Sequence, residues 1–180
     1  NTWGLGFSET FDVFGSTANG EHSVYVAIPR PYYQGVAGLT GDGKKKIDGH
    51  YAMQANTQKV RQVDVHGGFT AAAGHNFYTA RAFPEEYWNR IAFVNEPTGH
   101  VVHRAIVERQ GSGFAEKDGW NIAASDDEWF APVHAEVGPD GALWLLDFYD
   151  FIIQHNPTPI GPIAQEHPFQ NGLGNAYDTP

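Results

Sequence analysis

The sequence predicts an all-β protein built from many short strands, and three observations favour this class. The 21 glycines and 11 prolines are spread along the 180 residues rather than concentrated, which favours short elements joined by turns. Apolar and polar residues alternate with a period of two in several short runs. In addition, residues 129–149 contain the pattern of a complete β-hairpin.

The two strands of this hairpin differ in character. Along the first strand, small apolar residues occupy the odd-numbered positions from 131 to 137. The even-numbered positions that alternate with them are Pro132, His134, Glu136 and Gly138. His134 and Glu136 therefore share a face and lie roughly 7 Å apart along the strand. The sequence Gly138–Gly141 supplies a tight turn. The second strand, residues 143–149, is almost continuously apolar, which predicts burial on both faces.

Two further meanders precede the hairpin. The first has three runs separated by turn residues: Trp3 to Phe7, Val13 to Thr17, and Ser23 to Ile28. The second enters at Val60 and contains apolar strands at residues 91–94 and 100–108, joined by a turn at residues 95–99. A segment starting at Pro84 is long enough for one helical turn.

These patterns predict a single domain over residues 1–180 with repeated meanders. The blade-like meanders cover about residues 1–30, 60–110 and 129–155. Residues 31–59 form a long loop, and residues 156–180 form an extended C-terminal tail. Three similar meanders favour the radial blades of a β-propeller over a sandwich, although a jelly roll fits the same pattern.

Charge and composition exclude several function classes. The net charge of -10, from 21 acidic and 11 basic residues, disfavours nucleic acid as a partner. No apolar segment has the roughly 18 to 20 residues that a transmembrane helix needs. The absence of cysteine excludes disulfides, thiolate ligands and covalently attached haem from this chain.

Four sequence strings carry a resemblance to a known family. They are FGSTANGEHSVYVAIP, VRQVDVHGGFTAAAGHNFYTARAFPEEYWNRIAFVNEPTGHVVH, DEWFAPVHAEVGPDGALWLLDFYDFIIQHNPTP and NGLGNAYDTP. Together they resemble the β-propeller region of the large secreted bacterial proteins called putative membrane-bound dehydrogenases. The stretch from Phe83 to Val94 and the turn from Val137 to Trp144 are also similar to the quinoprotein glucose and sorbosone dehydrogenases.

The resemblance implies a fold, a cofactor and a location. The quinoproteins are six-bladed propellers that bind pyrroloquinoline quinone, often with Ca²⁺, over the central channel. A blade takes about 40 to 50 residues, so this chain would supply three to four blades of a partial or shortened propeller. A homodimer or other domains of a parent chain would then close the ring. The resemblance also implies an extracytoplasmic location, periplasmic or secreted.

Candidate site residues follow from the resemblance and from strand ends. The predicted catalytic residues are His75 and His134 as alternative bases, with Arg81 or Arg104 stabilising developing charge. The predicted cofactor-binding residues are Asn19, His22 and Asn76. The predicted metal ligands are Glu96, Glu136 and Asp147, whose oxygens suit Ca²⁺. Each residue also has a structural interpretation, as a hydrogen-bonded histidine, a turn residue or a solvated acid.

Three functions remain open at this stage. The first is oxidation of a sugar or polyol, with a quinone as the electron acceptor. The second is a non-catalytic propeller module that binds a glycan or a protein. The third is a metal-assisted or two-carboxylate carbohydrate hydrolase. A zinc site made by His100 and His103 is not expected, because their odd spacing places them on opposite faces of one strand.

Overall fold

The computed structural model describes residues 3–18, 20–39, 41, 43–60, 62, 65–151 and 153. These residues contain ten β-strands and three short 3₁₀ turns, and they contain no α-helix. The strands are β1 (Gly4–Phe7), β2 (Val13–Thr17), β3 (Glu21–Val26), β4 (Lys44–Lys46), β5 (Ala73–Phe77), β6 (Ile91–Glu96), β7 (Val101–Gln110), β8 (Gly113–Ala124), β9 (Pro132–Val137) and β10 (Leu143–Asp147). The 3₁₀ turns are Arg30–Tyr32, Glu85–Tyr87 and Pro97–Gly99. The all-β prediction is confirmed.

The strands form three antiparallel sheets in chain order. Sheet I has the order β1-β2-β3-β4, sheet II has the order β5-β6-β7-β8, and sheet III pairs β9 with β10. The first strands of successive sheets lie side by side, because β1 packs on β5 and β5 packs on β9. Successive meanders joined in this way have the arrangement of propeller blades.

The contact between the first strands of sheets I and II requires glycine. A Cβ atom added to Gly4 would lie 2.3 Å from the backbone of Gly74, and one added to Gly6 would lie 1.7 Å from the His75 carbonyl oxygen. The Ser16 hydroxyl also donates a hydrogen bond to the Gly74 carbonyl. We call this contact the inner end of the seam between sheets I and II. It leaves no room for a side chain between the two backbones.

An aromatic core fills the space between sheets I and II. The Phe14 ring lies 4.8 Å from the Phe77 ring and 4.9 Å from the Phe114 ring, measured between centroids. The fully buried Phe69 and the buried Ile47 extend the same core. Burying each such side chain contributes about 1.5–3 kcal/mol. This core fixes how the two sheets face each other.

Three local predictions need correction. The predicted loop of residues 31–59 contains β4, whose three lysines pair with residues 24–26 of β3. Among the described residues from 60 to 72, Gly68 forms an isolated bridge with Ala52 and no named strand occurs, so the described strands of the second meander begin at β5. Residues 61, 63 and 64 lie outside the described residues. Finally, β8 was not predicted, because acidic residues interrupt its apolar pattern.

The second strand of the hairpin is also less buried than its sequence predicts. Trp144 is 61% exposed and Leu146 is 60% exposed. The reason is that β10 pairs with β9 alone among the described residues. The predicted pairing and turn are confirmed, since Leu143 lies opposite Val137.

Among the described residues, no helix has the length and apolar character of a membrane span. The predicted tail, residues 156–180, lies outside the described residues.

Candidate metal centre

Four ionisable side chains from three chain segments meet at the seam between sheets I and II. His22 lies on β3 of sheet I, and His50 lies in the connection that follows β4. His103 and Glu116 lie on β7 and β8 of sheet II. We call His22, His50, His103 and Glu116 the histidine cluster. Their potential ligand atoms all lie within 4.8 Å of one another.

Backbone contacts bring the connection after β4 onto β8. The Glu116 amide donates to the Ile47 carbonyl at 2.8 Å, and the Gly49 amide donates to Glu116 Oε2 at 2.8 Å. A Cβ atom added to Gly49 would lie 2.4 Å from the Glu116 carbonyl oxygen, so this approach also requires glycine. These contacts place His50 beside the Glu116 carboxylate.

The Nε2 atoms of the three histidines converge on the Glu116 carboxylate. Glu116 Oε1 lies 3.3 Å from Nε2 of His50 and 3.3 Å from Nε2 of His103. Glu116 Oε2 lies 3.4 Å from Nε2 of His22. The Nε2 atoms of His50 and His103 are themselves 3.4 Å apart. At this separation the two Nε2 atoms either share a proton or bind a common cation through their lone pairs.

The other ring nitrogen, Nδ1, of each cluster histidine faces an acceptor. The acceptors are the Asp48 carboxylate for His22 at 3.3 Å, the Ala52 carbonyl for His50 at 2.8 Å, and the Asp118 carboxylate for His103 at 3.8 Å. Of these three contacts, only that of His50 with Ala52 is a hydrogen bond. It holds the proton at Nδ1 of His50 and leaves the Nε2 lone pair of that ring free for a metal ion. This arrangement around metal-binding histidines orients the rings and raises their basicity.

The cluster is largely removed from water. His22 and His103 are each 1% exposed, the Glu116 side chain has no exposure, and the His50 side chain is 16% exposed. The Phe69 ring stacks on His22 at 4.1 Å between centroids. Nε2 of His22 has no partner with hydrogen-bond geometry. A buried polar atom in this condition costs about 1–3 kcal/mol, so the site favours a ligand that satisfies it.

The protonation states match those that metal binding requires. Burial lowers the pKa of His22 to about 4. Burial raises the pKa of Glu116, but the contacts of its carboxylate with the three histidines outweigh burial and hold that pKa far below its usual range. The cluster therefore presents a carboxylate beside neutral His22. Burial lowers the pKa of His50, but its contacts with Glu116 outweigh this and raise the pKa, so a metal ion competes with a proton there.

Asp48 differs from Glu116 although both carboxylates are shielded from water. Burial raises the pKa of Asp48 to about 6, and the charge of Lys46 opposes that rise. Lys46 Nζ lies 3.4 Å from Asp48 Oδ2, yet neither carboxylate oxygen has a partner with hydrogen-bond geometry. A cation bound by His22 would strengthen the contact between Nδ1 of His22 and Asp48.

The structure brings one of the predicted cofactor-binding residues, His22, into this cluster. Asn76 instead donates from Nδ2 to the Ala135 carbonyl at 2.6 Å and joins β5 to β9. Asn19 lies outside the described residues.

The two predicted bases occupy different environments. His75 is fully buried, its Nε2 lies 2.7 Å from Ser23 Oγ, and its ring stacks on Phe14. Burial lowers the pKa of His75 to about 3, so the ring is neutral. His134 has 46% of its side chain exposed, and its Nε2 lies 3.4 Å from Oε2 of the exposed Glu136. The hydrogen bonds, ion pairs and ring contacts described for His75 and His134 have no partner residue in common.

The predicted arginines make separate contacts. Arg81 binds the Glu9 carboxylate through two hydrogen bonds of 2.7 and 3.0 Å at the surface. Arg104 donates to the Tyr87 hydroxyl at 2.6 Å and lies 5.7 Å from the centre of that ring. The hydrogen bonds and ring contacts described for Arg81 and Arg104 involve neither His75 nor His134.

The three predicted calcium ligands do not form a common group among the described residues. Glu96 is buried and accepts hydrogen bonds from the Ala71 amide at 2.9 Å and the Thr98 amide at 3.2 Å. Burial raises the pKa of Glu96 to about 7. Asp147 accepts from two backbone amides of the hairpin, those of Ala131 and Tyr149. Glu136 is exposed beside His134, as described above.

Sequence reasoning missed three of the four cluster residues and assigned the fourth, His22, to cofactor binding rather than to a metal ion. His100 and His103 do make separate contacts, since Nδ1 of His100 lies 2.6 Å from the Phe130 carbonyl. The available signal was Glu116, which is two positions after Phe114 and therefore shares its face of β8. Phe114 is buried and so is Glu116. An acid at a core-facing position is a recognisable sign of a buried site.

Comparisons with known proteins place the chain in a family. The chain is similar to a crystal structure described as the putative oxidoreductase (glucose dehydrogenase) from Thermus thermophilus, with a TM-score of 0.44 and 16% sequence identity. The match covers 79% of this chain but only 38% of that one. No curated protein matches the chain. Residues 1–177 match the profile of the family described as "Domain of unknown function (DUF7133)". The chain therefore belongs to the DUF7133 family.

Proposed function

We propose that this chain is a metal-binding β-propeller-type module that holds one divalent transition-metal ion at His22, His50, His103 and Glu116. One observation carries the proposal. The three Nε2 atoms converge on a buried carboxylate while each Nδ1 atom faces an acceptor.

The spacing of three of the four ligand atoms suits tetrahedral coordination, and all four lie within 4.8 Å of one another. Zinc–nitrogen bonds of about 2.1 Å at tetrahedral angles separate neighbouring ligand atoms by about 3.4 Å, whereas right angles give about 3.0 Å. His50 Nε2, His103 Nε2 and Glu116 Oε1 are separated by 3.3, 3.3 and 3.4 Å. These three atoms therefore have the spacing of one face of a zinc tetrahedron.

The chemistry of the ligands supports the same class of ion. Imidazole nitrogens suit Zn²⁺ and other first-row transition metals, whereas Ca²⁺ takes six to eight oxygen ligands. The cluster supplies three imidazoles and one carboxylate. A divalent cation also balances the buried negative charge of Glu116. We therefore expect Zn²⁺ to bind and Ca²⁺ not to compete for this site.

Metal analysis of the purified chain tests the proposal. We expect one equivalent of zinc per chain by elemental analysis after equilibration and buffer exchange. Replacement by Co²⁺ should give the intense visible absorption of a tetrahedral complex. Glu116→Gln and His103→Gln should lose the metal, while the matched surface variant His134→Gln should keep it. Stoichiometric zinc in Glu116→Gln, or no zinc in the unaltered chain, would refute the site.

Oxidation of a sugar or polyol with pyrroloquinoline quinone and Ca²⁺ is a separate proposal. The sequence resemblance supports it, together with an extracytoplasmic location and closure of the propeller by a second copy or by parent-chain domains. The test is reconstitution with quinone and Ca²⁺ followed by dye reduction with a panel of sugars. Glycan binding without turnover would favour the non-catalytic module, and release of reducing ends would favour the hydrolase.

A further inference from the structure

We infer that the metal ion fastens sheet I to sheet II, so that binding the ion and docking the outer end of the seam are one equilibrium. This inference rests on the proposed metal site and assigns it a mechanical role. The outer end of the seam is defined as the contact of β3 and residues 47–50 with β7 and β8.

The origin of the ligands supports this role. His22 belongs to sheet I, His103 and Glu116 belong to sheet II, and His50 belongs to the connection between them. An ion bound to all four side chains therefore restrains both sheets and the connection. The ion has to lose a ligand before the outer end can open. Such an ion stabilises the docked state by the free energy of its own binding.

The inner end of the seam has a different basis. There the backbones of Gly4 and Gly74 approach closely, and Ser16 donates to the Gly74 carbonyl. These contacts involve no ionisable group. The inner end should therefore stay docked whether or not metal is present, and it provides an internal reference for any measurement at the outer end.

The outer end contains a buried carboxylate and buried polar atoms that have no hydrogen-bond partner. The described cross-seam backbone bond there runs from the Glu116 amide to the Ile47 carbonyl. Around it lie the buried Glu116 carboxylate, the Nε2 atom of His22 without a hydrogen-bond partner, and the two Asp48 oxygens in the same condition. Burying such groups opposes docking unless a cation compensates them. Metal binding would offset the free-energy cost of burying these groups and so favour docking.

Asp118 connects the histidine cluster to the segment that contains Gln54. Its carboxylate faces Nδ1 of His50 at 3.9 Å and Nδ1 of His103 at 3.8 Å. The same carboxylate accepts hydrogen bonds from Gln54 Nε2 at 3.0 Å and the Trp120 amide at 2.7 Å. Asp118 therefore places a negative charge beside the Nδ1 atoms of two ligands, one from the connection and one from β7.

Hydrogen exchange of the full chain tests the inference at individual amides. The Glu116 and Gly49 amides report on the outer end, because they donate to Ile47 and to the Glu116 carboxylate. We expect zinc to slow exchange at both amides at least ten-fold relative to the zinc-free chain. The Tyr78 amide, which donates to the Ile91 carbonyl within sheet II, should change by less than two-fold.

The possible outcomes separate this inference from the metal site itself. Stoichiometric zinc binding with unchanged exchange at Glu116 and Gly49 would overturn the fastening role and leave the metal site standing. A failure to bind zinc would remove both. Glu116→Gln should show no zinc-dependent slowing, and slowing in that variant would overturn the inference. If Glu116→Gln does not fold, His50→Gln replaces it, because His50 is the most exposed cluster residue.

Discussion

Two histidine–glutamate pairs in this molecule have the same separation but different surroundings. His22 Nε2 lies 3.4 Å from Glu116 Oε2, and His134 Nε2 lies 3.4 Å from Glu136 Oε2. The first pair has 1% and 0% side-chain exposure, whereas the second has 46% and 71%. Water screens the exposed pair, which then contributes little free energy. In the buried pair, desolvation makes each unpartnered atom costly.

The pairs also differ in how the chain assembles them. His134 and Glu136 are two residues apart on β9 and share a face by strand geometry alone. His22 and Glu116 come from different sheets and meet only after both have folded and packed. The comparison shows that pair spacing alone does not make a site. The pair of His22 and Glu116 differs from the exposed pair because it is buried and because His50 and His103 also contact Glu116.

The largest expected effect comes from removing the central carboxylate. Glu116→Gln leaves three buried histidines without their shared anion, and losing one partner of a buried charge network costs about 3–5 kcal/mol. We expect a loss of this size in the free energy of unfolding with zinc present, measured by denaturant titration. If Glu136→Gln cost as much as Glu116→Gln, the distinction between the two pairs would be wrong.

A second buried glutamate should give stability the opposite pH response to that of Glu116. Burial raises the pKa of Glu96 to about 7, above its unfolded value, so the native state binds the proton more tightly. The contribution is fully present below about pH 4.5, and it is lost as pH rises through about 7, by about 3 kcal/mol. The difference in unfolding free energy between the zinc-free chain and Glu96→Gln from pH 5 to 8 measures it, because buried His22 and His75 titrate in the opposite sense in both proteins. Glu96→Gln does not titrate and should lack this decline.

Removing zinc should destabilise the chain by an amount that depends on zinc concentration. At a free zinc concentration 100 times Kd, the ion stabilises the native state by about 2.7 kcal/mol. A chelator should therefore lower the melting temperature of the unaltered chain and of His134→Gln equally. Glu116→Gln should show no such decrease. An unchanged melting temperature in the unaltered chain would contradict the expected linkage.

Changing the acceptor behind one ligand should have a smaller effect. Asp48→Asn keeps the shape but weakens the acceptor at Nδ1 of His22, and such changes lower metal affinity by 10- to 100-fold at other sites, about 1.4–2.7 kcal/mol. Competition with a chromophoric chelator measures the zinc affinity. Asp140→Asn, in the exposed hairpin turn, is the control and should leave that affinity unchanged.

The smallest effect is expected at the exposed pair. His134→Ala and Glu136→Ala should each change the free energy of unfolding by less than about 0.5 kcal/mol and should leave zinc binding intact. Denaturant unfolding and elemental analysis of both variants provide the measurement. A zinc-binding defect in either would mean that the exposed pair and the histidine cluster are coupled.

Local patterns predicted most of the strands. Alternation and turn residues identified β2 with its observed bounds, and they identified the hairpin of β9 and β10 with its turn. They failed for β8, because Glu116 and Asp118 interrupt the apolar face that begins at Phe114. They also failed for the burial of β10, since burial depends on neighbouring sheets and the sequence of a strand does not specify those neighbours.

The site was less predictable than the fold for a related reason. His22 was selected, but its partners His50, His103 and Glu116 are brought to it by packing between sheets I and II. Spacing rules apply within one strand or helix. His100 and His103 do make separate contacts, but His100 precedes β7 in a left-handed backbone conformation and does not occupy the opposite face of that strand. Spacing rules contain no information about residues contributed by another sheet. The most informative local sign was an acid on the core-facing side of β8.

The distribution of the ligands along the chain has a consequence for biosynthesis. His22 leaves the ribosome before Glu116, which follows only after β7 has been made. Domains commonly begin to fold while synthesis continues, so sheet I has the opportunity to form before the fourth ligand exists. Binding of the proposed zinc ion would then follow the synthesis of β8 and complete the folding of this region. A nascent chain halted before β8 would carry three histidines and no carboxylate to hold an ion between them.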